Sequence, residues 1–200
     1  LRLRPREDHE VRIESATLAV TPTATLRWHR DVEDNSVAIA TFETPASQLV
    51  IESDVIIQQF NEAPLDFLVD EQAVDYPFAY SAEDQPVLLP YLHDSRRSSG
   101  DPLKAWVESV WRPGELIQTY ALLQRLCVRI HERVSYRMRE EPGVQDAAET
   151  LALGTGSCRD SAALFIQAAR CLGLAARFVS GYLQAEPSAV NYGATHAWAE

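Results

Sequence analysis

The stretch Leu153-Gly-Thr-Gly-Ser-Cys158-Arg-Asp-Ser-Ala-Ala-Leu-Phe-Ile-Gln-Ala-Ala-Arg-Cys171-Leu-Gly173 decides how the rest of the chain is read. Gly154 and Gly156 form an approach whose backbone can come close to a neighbour or a ligand. Ser157 followed three places later by Asp160 has the pattern of a capping box, which makes Cys158 the first helical residue. A thiol there lies beside unpaired backbone N–H groups and the positive end of the helix dipole, a setting that favours the nucleophilic thiolate. The helix that follows is apolar almost all round, with a thin polar edge of Arg159, Asp160, Gln167 and Arg170, and such a helix is buried. Gly173 supplies its stop, and Ala175 to Leu183 reads as a strand. The plainer reading of Cys158 is a small buried hydrophobe at a helix start.

A chain of 200 residues is long enough for one large or two small domains. A net charge of −11 and a pI near 4.9 speak against nucleic-acid or anionic-membrane partners, which need a basic face. No run of about 18 apolar residues is present to span a membrane, and the charged residues from Leu1 to Glu10 do not resemble a signal peptide. The three cysteines cannot all pair, and Cys158 and Cys171 stand about 20 Å apart by helical rise, so a reducing, cytoplasmic setting is expected. No metal-ligand spacing and no phosphate-binding glycine loop occurs, so no cofactor is expected; Cys158 and His196 as half of a metal site is the weakest reading.

Upstream, Val11 and Ile13, Leu18 and Val20, Val37 and Ile39, Leu49 and Ile51, and Val55 and Ile57 alternate with polar or small residues. The breaks carry Pro22, Asp34-Asn35 and Pro45, and the pattern predicts an antiparallel β-sandwich-like or meander domain over residues 1–62. Residues 63–112 are proline-rich and irregular, but Phe67, Phe78, Tyr80, Tyr91, Trp106 and Trp111 are too many rings for a disordered linker. The segment is expected to pack on the core formed by residues 113–200, with Arg96 to Gly100 at a loop tip.

Within that core, Leu116, Tyr120, Leu123, Cys127, Ile130 and Val134 fall on one face and predict a helix from Glu115 to Arg139. This places Cys127 in the core, with His131 beside the stripe and without a catalytic partner. Pro142-Gly143 break the chain, and Asp146 to Leu153 form a short helix. Glu186-Pro187-Ser188 turn it again, and on the last strand His196 and Trp198 share one face while Ala197 and Ala199 take the other. A histidine on a strand beside a nucleophile helix is the general base that thiol acyl transfer requires.

These windows together resemble the transglutaminase-like superfamily, whose core is a papain-like cysteine enzyme. The match consists of Gly156-Ser157-Cys158-Arg159-Asp160 opening a helix, Ala176 to Tyr182 as the next strand, and His196-Ala-Trp198-Ala-Glu200. Leu18-Ala-Val-Thr-Pro22 and Asp31-Val-Glu-Asp-Asn35 look like the β-domain that precedes this core in a bacterial subfamily, with Asp34 where a left-handed glycine is usual. The fold implied is α+β, an N-terminal β-domain followed by a papain-like helix-plus-sheet core, truncated at its C-terminus. By the resemblance Cys158 is the nucleophile and His196 its base, with Ser157 and Asp160 supporting the helix start and Gly156 and Trp198 beside the substrate groove.

The family's orienting Asp normally follows a further strand downstream. Glu200 lies about 13 Å along the strand from His196, too far to replace it, so the acid is expected beyond the chain's end or from elsewhere. The implied activity is thiol-dependent acyl transfer on a protein or peptide amide, as a peptidase, amidase or transglutaminase, with the Cys158 N–H as an oxyanion donor. The alternative is a non-catalytic peptide-binding module on the same fold; oligomeric state is not legible.

Overall fold

The structure, a computed structural model, describes residues 1–61, 63, 66–92, 102–183 and 195–200. It divides into two units, Leu1–Phe67 and Leu68–Glu200.

In the first unit, β1 (Val11–Thr21) pairs antiparallel with β4 (Val50–Gln59), and β2 (Thr25–Arg30) with β3 (Ser36–Thr41), two nested ribbons rather than a meander. The alternation in β1 changes phase. Val11 and Ile13 turn inward, then Ala16, Leu18 and Val20, because a bulge between Ile13 and Ser15 adds a residue to one strand. Asp34 has φ 60°, the left-handed position that closes the β2–β3 turn, and the Asp31 carboxylate accepts from the backbone N–H groups of Glu33 and Asn35 at 3.0 and 2.9 Å. The Asn35 amide also donates to Asp31 and, with those backbone bonds, outweighs desolvation to lower its pKa.

The second unit opens with β5 (Asp75–Tyr76), then α1 (Asp84–Leu92) and α2 (Pro102–Val110). Here proline starts helices as well as ending them. Pro102 occupies the first position of α2, where its missing N–H costs nothing, and Ser81 caps α1 by accepting from the Asp84 N–H at 3.1 Å. The 63–112 segment is therefore partly helical, not irregular, and Leu103, Val107 and Val110 are core residues. So is Tyr76, which donates its hydroxyl to the Leu172 carbonyl at 2.6 Å and meets Trp111 edge-on at 5.0 Å. Tyr80 accepts at its hydroxyl from the Ala175 N–H (2.8 Å), whereas Phe67 is exposed. Arg96 to Gly100 and Glu186 to Ser188 lie outside the described residues.

β6 (Ile117–Gln118) pairs with β5 and leads into α3 (Thr119–Arg133), shorter than the periodicity predicts. Gly114, at φ 92°, turns the chain before it, and Val134 is already extended. Its buried residues are Leu122, Leu126 and Ile130, followed by Val134. Ile130 and Val134 lie in the predicted stripe, while in the first half of the helix the buried positions are Leu122 and Leu126, one before the predicted Leu123 and Cys127. Leu116 and Tyr120 are exposed, and so is Cys127, which is not a core residue.

β7 (Ser135–Tyr136), α4 (Ala147–Leu153), β8 (Thr155–Gly156) and α5 (Cys158–Cys171) follow, then β9 (Phe178–Tyr182) and β10 (Thr195–Ala199), which pair antiparallel. β9 begins three residues later than its sequence suggests. Ala175 and Ala176 donate their N–H groups to Tyr80 and Tyr91, and the Ala176 carbonyl takes the Arg170 guanidinium. Helix α5 is the hub: α2, α3, α4, β8, β9 and β10 all touch it, and none of its residues is exposed. No described helix is long and apolar enough to cross a membrane.

Leu126→Ala should cost about 2–5 kcal/mol of stability in urea denaturation, and Cys127→Ala less than about 0.5 kcal/mol. Equal losses would mean that α3 presents the other face.

Candidate active site

The turn entering α5 is built in three steps. Asp146 caps α4, its carboxylate accepting from the Ala148 N–H at 2.8 Å, and Gly154 ends that helix at φ 63°, a conformation glycine adopts without strain. Thr155 and Gly156 then pair in parallel with Ser135 and Tyr136. Gly156 is buried, and a Cβ there would stand 2.9 Å from the Asp160 Cβ and 3.3 Å from the Gln145 amide oxygen. Its missing side chain makes room for this internal approach.

Ser157 is the N-cap of α5. Asp160 Oδ2 accepts from the Ser157 N–H (2.8 Å) and hydroxyl (2.7 Å). The other oxygen, Oδ1, accepts from the Gln145 N–H (2.8 Å) and from Arg139 Nη1 (2.7 Å). The side chain is fully buried, at 0 % exposure. Burial alone would raise its pKa; the bonds from Gln145, Ser157 and Arg139 outweigh that cost and hold the carboxyl at about 2. The same bond raises the pKa of Arg139. Arg159 extends the tie, donating Nη2 to the carbonyls of Arg139, at 3.3 Å, and of Glu141.

Cys158 follows directly, half-buried, as the first residue of α5, and its N–H donates to no described group. β10, which packs on α5 more extensively than β8 or β9, carries His196 half-buried. Ala197, buried, and Ala199, against the core, take the covered face, leaving His196 and Trp198 on the other. The two rings stack with centroids 6.4 Å apart at 29°. Among the described residues no carboxylate hydrogen-bonds to His196, and the Glu200 carboxylate is paired with Arg177 at 2.7 and 2.8 Å.

A family model of the transglutaminase-like superfamily matches residues 98–200. The chain belongs to the transglutaminase-like superfamily. A second model, the bacterial transglutaminase-like N-terminal region, matches residues 1–58. Uncharacterized proteins of Mycobacterium bovis and Mycobacterium tuberculosis are 37% identical to this superfamily member over 83 residues, 39% of this chain and 26% of theirs. The chain thus spans about a quarter of the length of those relatives. The crystal structure of a proposed cysteine protease from Cytophaga hutchinsonii superposes on all of this chain and 65% of its own, with a TM-score of 0.67 and 20% identity. The fold is transglutaminase-like, a mixed α/β, papain-like architecture.

Sequence reasoning identified Asp160 as a cap but missed Arg139 and Gln145, which complete its shell from 21 and 15 residues upstream. The only available signal was Asp160 itself, a carboxylate on a helix too apolar to leave it in water.

Asp160→Asn should cost about 3 kcal/mol at pH 7, because it removes the buried charge on which the Arg139, Gln145 and Ser157 donors converge. The folded pKa lies below the unfolded value, so this stabilisation is complete above about pH 4 and is lost as pH falls through about 2. Urea melts of both proteins across that range should converge; a constant gap would contradict the clamp.

Proposed function

We propose that the protein carries out thiol-dependent acyl transfer on amide bonds, with Cys158 as nucleophile and His196 as general base. The observation that supports this most directly is that β10, the strand bearing His196, packs on the helix that Cys158 opens. His196 takes the thiol proton as Sγ bonds to the amide carbonyl carbon, and the oxyanion accepts from the Cys158 N–H. The intermediate collapses with cleavage of the C–N bond, His196 returns the proton to the leaving amine, and a thioester remains. Water, deprotonated by His196, then releases the acid and restores the thiol; an amine in its place forms a new amide.

Hydrolysis is the preferred outcome, because water needs no dedicated amine pocket. The substrate is a protein or peptide, with the exposed Trp198 beside its path. The papain-like fold shared with the Cytophaga protein, itself described as a proposed cysteine protease, agrees with this reading. A peptide-binding module is the second reading, favoured by the lack of a described carboxylate on His196.

Iodoacetamide labelling at pH 7, read by peptide mass spectrometry, separates the two. Cys127 is the internal standard: it is exposed on α3 and open to the reagent, while partial desolvation of its thiol raises the pKa. Cys158 should label at least about tenfold faster, and His196→Ala should abolish that advantage. Labelling no faster than Cys127 or Cys171 would favour the binding module.

A further inference from the structure

His196 needs something to orient its ring, and the described residues give it no carboxylate. They give it an indole. Trp198 lies on the same face of β10, two residues on, stacked at 6.4 Å and 29°. What lets the indole settle there is on the neighbouring strand. Gly181 is the register partner of His196, so a side chain at 181 would rise on the same face, directly beside the imidazole. A Cβ built on Gly181 would stand 2.6 Å from Trp198 Cη2, 3.2 Å from Cζ3 and 3.6 Å from Cζ2. The benzo ring occupies the place of the absent side chain. Gly181 has no positive φ that would otherwise account for glycine.

We propose that Gly181 and Trp198 are positioning residues for His196: the bare backbone at 181 seats the indole, and the seated indole sets the plane of the imidazole. The inference rests on His196 acting as the base. It assigns to packing within the β9–β10 pair part of the orienting work that a carboxylate performs in a triad. An indole stacked beside one ring face restricts rotation of the imidazole while leaving both its nitrogens free to exchange protons.

The test pairs a spectroscopic readout with a chemical one in wild type, Gly181→Ala, Trp198→Leu and Trp198→Phe. In 1H–13C spectra the His196 ring protons feel the ring current of the indole. They should move in Gly181→Ala and Trp198→Leu and stay near their wild-type positions in Trp198→Phe, with exposed His131 unchanged throughout. Iodoacetamide labelling of Cys158 at pH 7 should slow about five- to tenfold in the first two variants and recover in Trp198→Phe. Should Gly181→Ala fold poorly, the Gly181→Ala/Trp198→Leu double variant opens room for the new methyl and should refold.

Unmoved His196 resonances in Trp198→Leu, or moved resonances with unchanged labelling of a wild-type-fast Cys158, would overturn the proposal. Wild-type Cys158 reacting no faster than Cys127 would instead remove the acyl-transfer reading, while the ring shifts would still decide whether the indole is seated on Gly181.

Discussion

One buried carboxylate holds the architecture of the site. Asp160 gathers Ser157, Gln145 and Arg139 around itself with no water-exposed surface, and thereby joins the helix start, the segment before α4 and the chain leaving β7. A buried charge is costly unless every lone pair is met, so the arrangement tolerates little displacement. The residue whose position it fixes is Cys158. The network is structural in substance, and its functional consequence is geometric: the sulfur is delivered at one end of a helix whose flank is covered by the strand of His196.

The glycines around this clamp do different jobs. Gly154 supplies a left-handed backbone that terminates α4, while Gly156 makes room for Asp160 and Gln145. Gly181 makes room for an aromatic ring. Sequence alone presents Gly154 and Gly156 as one flexible approach, because a missing side chain looks the same whether it frees a dihedral or vacates a volume. Only the neighbours distinguish the two, and those neighbours come from elsewhere in the chain.

The same limit governs what else was legible. The α5 helix, its N-cap at Ser157 and its stop at Gly173 follow from local chemistry, and they stand where the pattern places them. Asp34 in a left-handed turn follows instead from the family resemblance, in which a glycine is usual at that position. The face of α3 was not. Leu122-Leu123 and Leu126-Cys127 offer two adjacent stripes of nearly equal hydropathy, and tertiary packing chose Leu122 and Leu126. Prolines misled in the opposite direction: Pro102 begins α2, so a proline-rich stretch concealed a helix that buries Leu103, Val107 and Val110. Tyr76, whose hydroxyl reaches the end of α5, carried no local signal at all.

Cys158 opens α5 and His196 lies on β10, the two elements pack together, and the proposed chemistry asks the two residues to act as one unit. The most direct measurement is capture of the covalent intermediate. The protein is exposed to an activated ester, quenched in acid and mapped by mass spectrometry. The account predicts one acyl group, on Cys158, that disappears over time at neutral pH and does not form in His196→Ala; an acyl group that settles on Cys127 or Cys171, or that forms on Cys158 equally well without His196, would contradict it.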